Sequence, residues 1–332
     1  MAHEPKLEVY KVYIGATPTT VDRSFGGFLE KKYPVEDFKL KEAYHKLLQD
    51  LITSIDTNFV LNDIRKKGLR IDENSTASLE RSIKIKTNKH IISGTIKGGR
   101  YGQQRSIGYT RKPNQKYTKI NTTDIVMDTF YFLLYTPFGS NKGILMIQSY
   151  SDDQINDVFI SWLRANLKAE GFYKPNLELY CPIKLQREFK ATSVVKELKF
   201  TNDVVVENID DDHSISTEAF TINISIRAKE DGESLGNLQN LVNYVKRFTF
   251  GDKNKPLTLD EFKRKTGTLY NGSHQSSFEL GTGIDIKPTI YLKDKVDLQV
   301  DGSPKWDSLE KFCLELLDDI KEEIYPEADE IS

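Results

Sequence analysis

The sequence predicts an α+β protein of two domains, with mixed or antiparallel sheets and flanking helices. Three observations predict it. Strand-like runs, alternating or continuously apolar over short lengths, dominate both halves of the chain. Helical periodicity is confined to a few long segments set apart from those runs. The chain has 332 residues, long for one core and suited to two domains of ordinary size.

In the N-terminal domain, expected over residues 1–171, LEVYKVYIG (7–15) alternates and reads as a strand. ATPTTVDRSFGG then reads as a loop, with Pro and paired Gly. Leu40, Ala43, Leu47, Leu48, Leu51 and Ile55 recur at helical spacing and predict an amphipathic helix over 40–55. IDENSTAS (71–78) is a turn-rich break. RSIKIKTNK and HIISGTIKG alternate and predict paired strands, lysines on one face and isoleucines on the other. From Gly98 to Lys119 no apolar period is sustained, which predicts a long loop or a ragged hairpin. DTFYFLLYTPF (128–138) and KGILMIQSY (142–150) are near-continuously apolar strands, expected at the centre of a sheet. Ser151 and Gln154 form a capping-box pattern that predicts a helix from Ser151, with a stripe including Val158, Phe159, Trp162 and Leu163 and a stop at Gly171.

The second domain is expected over 172–332. LELYCPI, TSVVKELKF and AFTINISIRAK read as strands, with the acidic turn NIDDDHS between the last two. SLGNLQNLVNYVKRF reads as a helix. FELGTGIDIKPTIYL and KVDLQV read as further strands. A helix over 305–325 closes the domain, with Leu309, Phe312, Cys313, Leu316, Leu317 and Ile320 inside.

Composition excludes several classes. Hydrophobic residues make up 38% and charged residues 29%, as in a folded, globular chain and unlike a disordered one. No apolar run approaches the ~18 residues of a membrane helix, so no membrane insertion is expected. MAHEPKLEVY lacks an apolar signal region, which points to the cytoplasm. Cys181 and Cys313 lie in apolar settings and read as buried thiols kept reduced there. CxxC pairs are absent and the five histidines are scattered, so neither a metal nor another cofactor is expected.

Charge is the sharpest signal. The chain is nearly neutral, with 47 basic and 49 acidic residues. Yet 81–123 holds eleven cations and no carboxylate, where the overall acidic frequency predicts about six. The rest of the chain is therefore strongly acidic, most of all over 307–332, which holds ten carboxylates against two lysines. A block of one sign in a background of the other marks a surface for an oppositely charged partner. The basic segment, centred on a loop over 94–121, is expected to contact phosphates through Lys84, Lys86, Lys89, Lys97, Arg100, Arg105, Arg111, Lys112, Lys116 and Lys119. Tyr101, Tyr109 and Tyr117 are interleaved for hydrogen bonding to phosphate or stacking on bases. Gly98 and Gly99 suit a flexible loop following a phosphate backbone. A plain lysine-guarded sheet edge is the competing structural explanation.

No enzyme signature accompanies the block. The glycines of 94–102 lack the Gly-Lys-Ser/Thr ending of a phosphate loop, and no GxSxG elbow occurs. The runner-up is a metal-dependent nuclease, using Glu197 and Lys199 on one strand face with Asp210, Asp211, Asp212 and His213. Glu-x-Lys recurs by chance in so charged a chain, and three aspartates in a turn are ordinarily solvated, so the chain reads as a non-enzyme. A protein-interaction module that docks on an acidic partner is the third reading.

DTFYFLLYTPFGSNKGILMIQSYSDDQINDVFISWLRANL runs aromatic strand, second strand, Ser-Asp-Asp and apolar helix, and ISIRAKEDGE and a late helix follow. This order resembles the phage-exclusion protein RexA and related bacterial anti-phage proteins of the KwaB type. The resemblance implies an intracellular, dimeric DNA-binding sensor in bacterial defence, working with a separate effector protein. It assigns no individual residue. Together the readings predict sequence-tolerant DNA binding by a sensor or recruiter.

Overall fold

The computed structural model describes residues 3–34, 39–56, 58–71, 82–108, 116–209, 215–230, 233–236, 249–250, 257–272, 275–280, 284–286 and 289–325. The fold is α+β, and every described strand pairing is antiparallel. The chain divides into two compact units, Met1–Tyr180 with Ile290–Ser332, and Cys181–Thr289. The division differs from the expected one at 171/172. The chain returns to the first unit at Ile290, so the C-terminal helix belongs there and not to the second domain.

The first unit is built on strands β1 (Pro5–Tyr13), β2 (Val60–Asn62), β3 (Lys67–Ile71), β4 (Ile83–Lys86), β5 (Ile91–Arg100), β6 (Arg105–Ile107), β7 (Thr118–Ile120), β8 (Val126–Tyr135), β9 (Lys142–Tyr150) and β10 (Asn176–Tyr180). Its main sheet runs β10-β1-β9-β8-β5-β3-β2, with β4 beside β5 and the short strand Ile290–Tyr291 beside β1. β6 and β7 form a separate two-stranded ribbon. The apolar β8 and β9 lie at the centre, as their sequences predict.

Period-two alternation sends successive residues of β8 to opposite faces. Phe130, Phe132 and Leu134 enter a core shared with helices α1 (Phe25–Lys32), α2 (Leu40–Asp56) and α3 (Asn156–Asn166). Tyr131 and Tyr135 face the C-terminal helix, Trp306–Ile324, meeting the rings of Trp306 and Tyr325 edge-on. That helix buries Leu309, Cys313, Leu316, Leu317 and Ile320, at the spacing of one helical stripe.

The second unit holds α4 (Ile183–Thr192) and strands β11 (Val194–Ile209), β12 (Ile215–Arg227), β13 (Thr249–Phe250), β14 (Leu257–Thr258), β15 (Arg264–Tyr270), β16 (Gln275–Leu280) and β17 (Ile284–Ile286). Its sheet order is β12-β11-β15-β16-β17. Val195, Leu198, Phe200, Leu259, Phe262, Leu269 and Phe278 make its core.

Several local expectations change. The helix predicted from Ser151 starts at Asn156 and runs only to Asn166. The Ser151 hydroxyl accepts from the Glu4 backbone instead (3.1 Å), and the Tyr150 N–H donates to the Asp153 carbonyl (2.8 Å), so 151–155 are held as a turn. The predicted loop 16–27 ends in α1, whose N-cap is the Ser24 side chain. Its glycines are there for space: a Cβ on Gly27 would lie 2.3 Å from the Asp22 carbonyl oxygen. LELYCPI gives β10 and then α4, which opens after Pro182. KVDLQV forms turns and one isolated bridge, Leu298 with Pro304. Most of the helix predicted in SLGNLQNLVNYVKRF lies outside the described residues.

Candidate nucleic-acid interface

The acid-free run is contiguous in sequence but not in space. β5 spans ten residues, so Lys89 before it and Arg100 at its end are separated by roughly 30 Å. Between them Lys97 lies half-buried within the sheet, its Cα facing Arg70 and Thr129 across the neighbouring strands. Gly98 and Gly99 are buried strand residues of β5 and not parts of a flexible loop. They are required by close backbone approach, since a Cβ on Gly99 would lie 1.7 Å from the Val126 carbonyl oxygen.

Carboxylates absent from the run arrive from elsewhere in the fold. Glu310 of the C-terminal helix accepts from Lys86 Nζ (2.8 Å) and from the Ser93 hydroxyl (3.3 Å). Lys84, in the same strand, is half-buried and also engaged. Asp153 pairs with Arg100 Nε at 3.4 Å. Burial raises the Asp153 pKa above the usual carboxylate value, and the Arg100 guanidinium opposes that rise. Asp63 accepts from the Tyr101 hydroxyl (2.7 Å), and this bond raises the phenol pKa. Lys66 lies over the same ring, 5.5 Å from its centroid. Tyr101 is thus held by its own fold and is not a free stacking platform.

Among the described residues, Lys89 and the β6–β7 ribbon remain uncommitted. Arg105, Lys116 and Lys119 are exposed and form no ion pair with any described residue. Arg105 donates to the Gln103 side chain. Tyr117 is 73% exposed and Ile107 44%, so an aromatic and an aliphatic surface accompany the cations. Tyr109, Arg111 and Lys112 lie outside the described residues. The ribbon is tied to the sheet at its base. Tyr101 N–H donates to the Lys66 carbonyl (3.0 Å), and Gly102, at φ +91°, donates to the Thr122 carbonyl (2.8 Å).

This anchorage brings in residues the charge count overlooked. Lys66 and its neighbour Arg65, both exposed, sit in the β2–β3 turn at the ribbon base. DIRKKGLR (63–70) carried that signal, hidden by its flanking acids. At the far end of β5, Lys41 and His45 of α2 join Lys86, Thr87, Asn88 and Lys89 around an open notch of about 510 Å³. The cations therefore form two separate groups, ribbon and notch.

Lys86 is already neutralised by Glu310, so Lys86→Ala is expected to change affinity for duplex DNA less than about twofold. Fluorescence anisotropy titration checks this; a loss comparable to that from an exposed ribbon cation would place the interface at the notch.

No family model, curated protein or solved structure matches this chain. Among the described residues no group of three or more His, Cys, Asp or Glu side chains is arranged to hold a metal ion. Glu197, the nuclease candidate, is bound instead by Arg227 Nη2 (2.7 Å) and the Ser225 hydroxyl (2.7 Å), with Lys199 at 3.6 Å. Burial works against the Glu197 carboxylate, but these donors outweigh it and hold its pKa low. Asp210–Asp212 and His213 lie outside the described residues. No helix among the described residues is long and apolar enough to cross a membrane.

Proposed function

We propose that this chain binds nucleic acid with little regard to sequence, through phosphate contacts made by the β6–β7 ribbon and its base. The observation that carries the reading is that Arg105, Lys116 and Lys119 are gathered on one exposed ribbon with no ion-pair partner among the described residues, while Lys86 and Arg100 of the same run meet carboxylates. Exposed cations on a narrow, anchored ribbon suit a phosphate backbone, and Tyr117 and Ile107 between them suit unstacked bases. DNA is the intended partner. The resemblance to RexA and KwaB-type proteins supports a cytoplasmic homodimer acting as a sensor or recruiter in anti-phage defence, with a separate effector protein.

An electrophoretic shift with duplex and single-stranded DNA of unrelated sequences, at two salt concentrations, tests the reading. Binding to each sequence, weakened by salt, is expected. Absence of a shift at low salt would leave the basic surface to an acidic protein partner. With Mg²⁺ or Mn²⁺ added, the DNA is expected to remain intact, because the Glu197 carboxylate is already saturated by donors. Nicking abolished by Glu197→Ala would establish the nuclease reading in its place.

A further inference from the structure

A second site of opposite character lies in the first unit. A cleft of about 560 Å³ opens between the ends of β8 and β9, the turn 299–304 and the start of the C-terminal helix. Its charged lining is acidic, Asp128 and Asp301, and no Lys or Arg among the described residues lines it. Its apolar lining is aromatic, including Tyr131, Tyr150 and Trp306. Gln148 and the Tyr131 side chain, each 2% exposed, form part of the wall. The Tyr131 hydroxyl is buried with no hydrogen-bond partner among the described residues; the nearby Ser93 hydroxyl donates to Glu310 instead. A buried polar group left open in this way is uncommon in a finished core.

The cleft already shows what it accepts. The His3 ring stacks on Tyr150, with centroids 3.8 Å apart and planes 16° from parallel. Its Nδ1 lies 2.7 Å from Asp152 Oδ1 and its Nε2 lies 3.8 Å from Asp128 Oδ1. A flat nitrogen ring is thus held against an aromatic face, each ring nitrogen directed at a carboxylate. Burial raises the Asp128 pKa, and the neighbouring Asp152 adds to the rise while His3 opposes it. The negative charge there is only partly compensated. His3 is part of the cleft wall, and the volume of about 560 Å³ lies beside its ring.

We propose that this cleft is a binding site for a guanidinium group, which takes the place of the His3 ring on Tyr150 between Asp128 and Asp152. A guanidinium is flat, permanently charged and multiply hydrogen-bonding, so it stacks on aromatic rings and pairs with carboxylates better than an ammonium does. The remaining space, with Asp301, Gln148 and Trp306 on its walls, holds the rest of the ligand. The volume falls in the range of small-molecule sites. Its charge repels phosphate, so the proposal is independent of nucleic-acid binding by the ribbon.

The guanidinium has two possible sources, an arginine within a peptide or a free guanidino compound. Calorimetric titrations of the full chain with N-acetyl-arginine amide and with agmatine separate them. N-acetyl-citrulline amide, neutral and nearly the same shape, is the control, and thermal melting confirms that each variant is folded. His3→Ala is expected to bind at least one guanidinium probe about tenfold more tightly than the wild type, because the resident ring is gone. Adding Asp128→Asn is expected to lower that affinity about tenfold or more, the usual cost of a lost charge-assisted hydrogen bond. Tighter binding of the arginine amide assigns the site to a peptide, and equal or tighter binding of agmatine to a small molecule. The proposal is overturned if folded His3→Ala binds neither probe at millimolar concentration or binds no tighter than wild type. It is equally overturned if citrulline amide binds as well as arginine amide, or if Asp128→Asn changes nothing.

Discussion

Replacing Arg105, Lys116 and Lys119 together by Glu is expected to reduce affinity for DNA by about a hundredfold or more at moderate salt, with the fold unchanged. Each substitution removes a cation that has no carboxylate partner among the described residues and adds a charge that repels phosphate. All three side chains are exposed and belong to neither hydrophobic core, so the melting temperature should stay close to that of the wild type. Anisotropy titrations and a thermal melt on the same samples read both quantities. The corresponding change of Lys84 and Lys86 would confuse the two, because Lys86 is joined to Glu310 across the packed face of the C-terminal helix.

Gly99→Ala is expected to destabilise the first unit by about 3 kcal/mol, near the upper end for overpacking. The new Cβ would meet the Val126 carbonyl oxygen at 1.7 Å, and a backbone atom fixed in the β5–β8 ladder cannot rotate away. Gly139→Ala is the control, since nothing lies within 4 Å of a Cβ there. Urea denaturation of the two variants should separate them clearly. Equal midpoints would mean that β5 and β8 do not pair as described, and the ribbon anchored beyond β5 would lose its support.

The glycines show where the sequence was legible and where it was not. Alternation and apolar runs located β1, the central pair β8 and β9, and the C-terminal helix, because burial against one neighbour leaves a local periodic trace. Gly98 and Gly99 looked like loop residues because close approach between strands leaves no such trace; it depends on a partner some thirty residues away. For the same reason the Ser151 capping box misled: Glu4 takes the serine hydroxyl first. The charge count included the cations that the fold leaves exposed on the ribbon. It could not tell that Glu310, Asp153 and Asp63 would return to Lys86, Arg100 and Tyr101, since these pairings span the fold. The acidic cleft escaped entirely, because its residues come from five separate stretches of chain.

Salt dependence tests phosphate neutralisation by the ribbon most directly. The logarithm of the affinity for duplex DNA should fall linearly with the logarithm of salt concentration, at about −0.9 per phosphate contacted. Arg105, Lys116 and Lys119, with Arg65 and Lys66 at the base, give an expected slope of about −3 to −4.5 for one ribbon. Arg105→Ala should flatten it by about one unit or less, and Lys86→Ala should leave it unchanged. A wild-type slope near zero, or one that responds to Lys86→Ala and not to Arg105→Ala, would contradict the assignment of the interface to the ribbon.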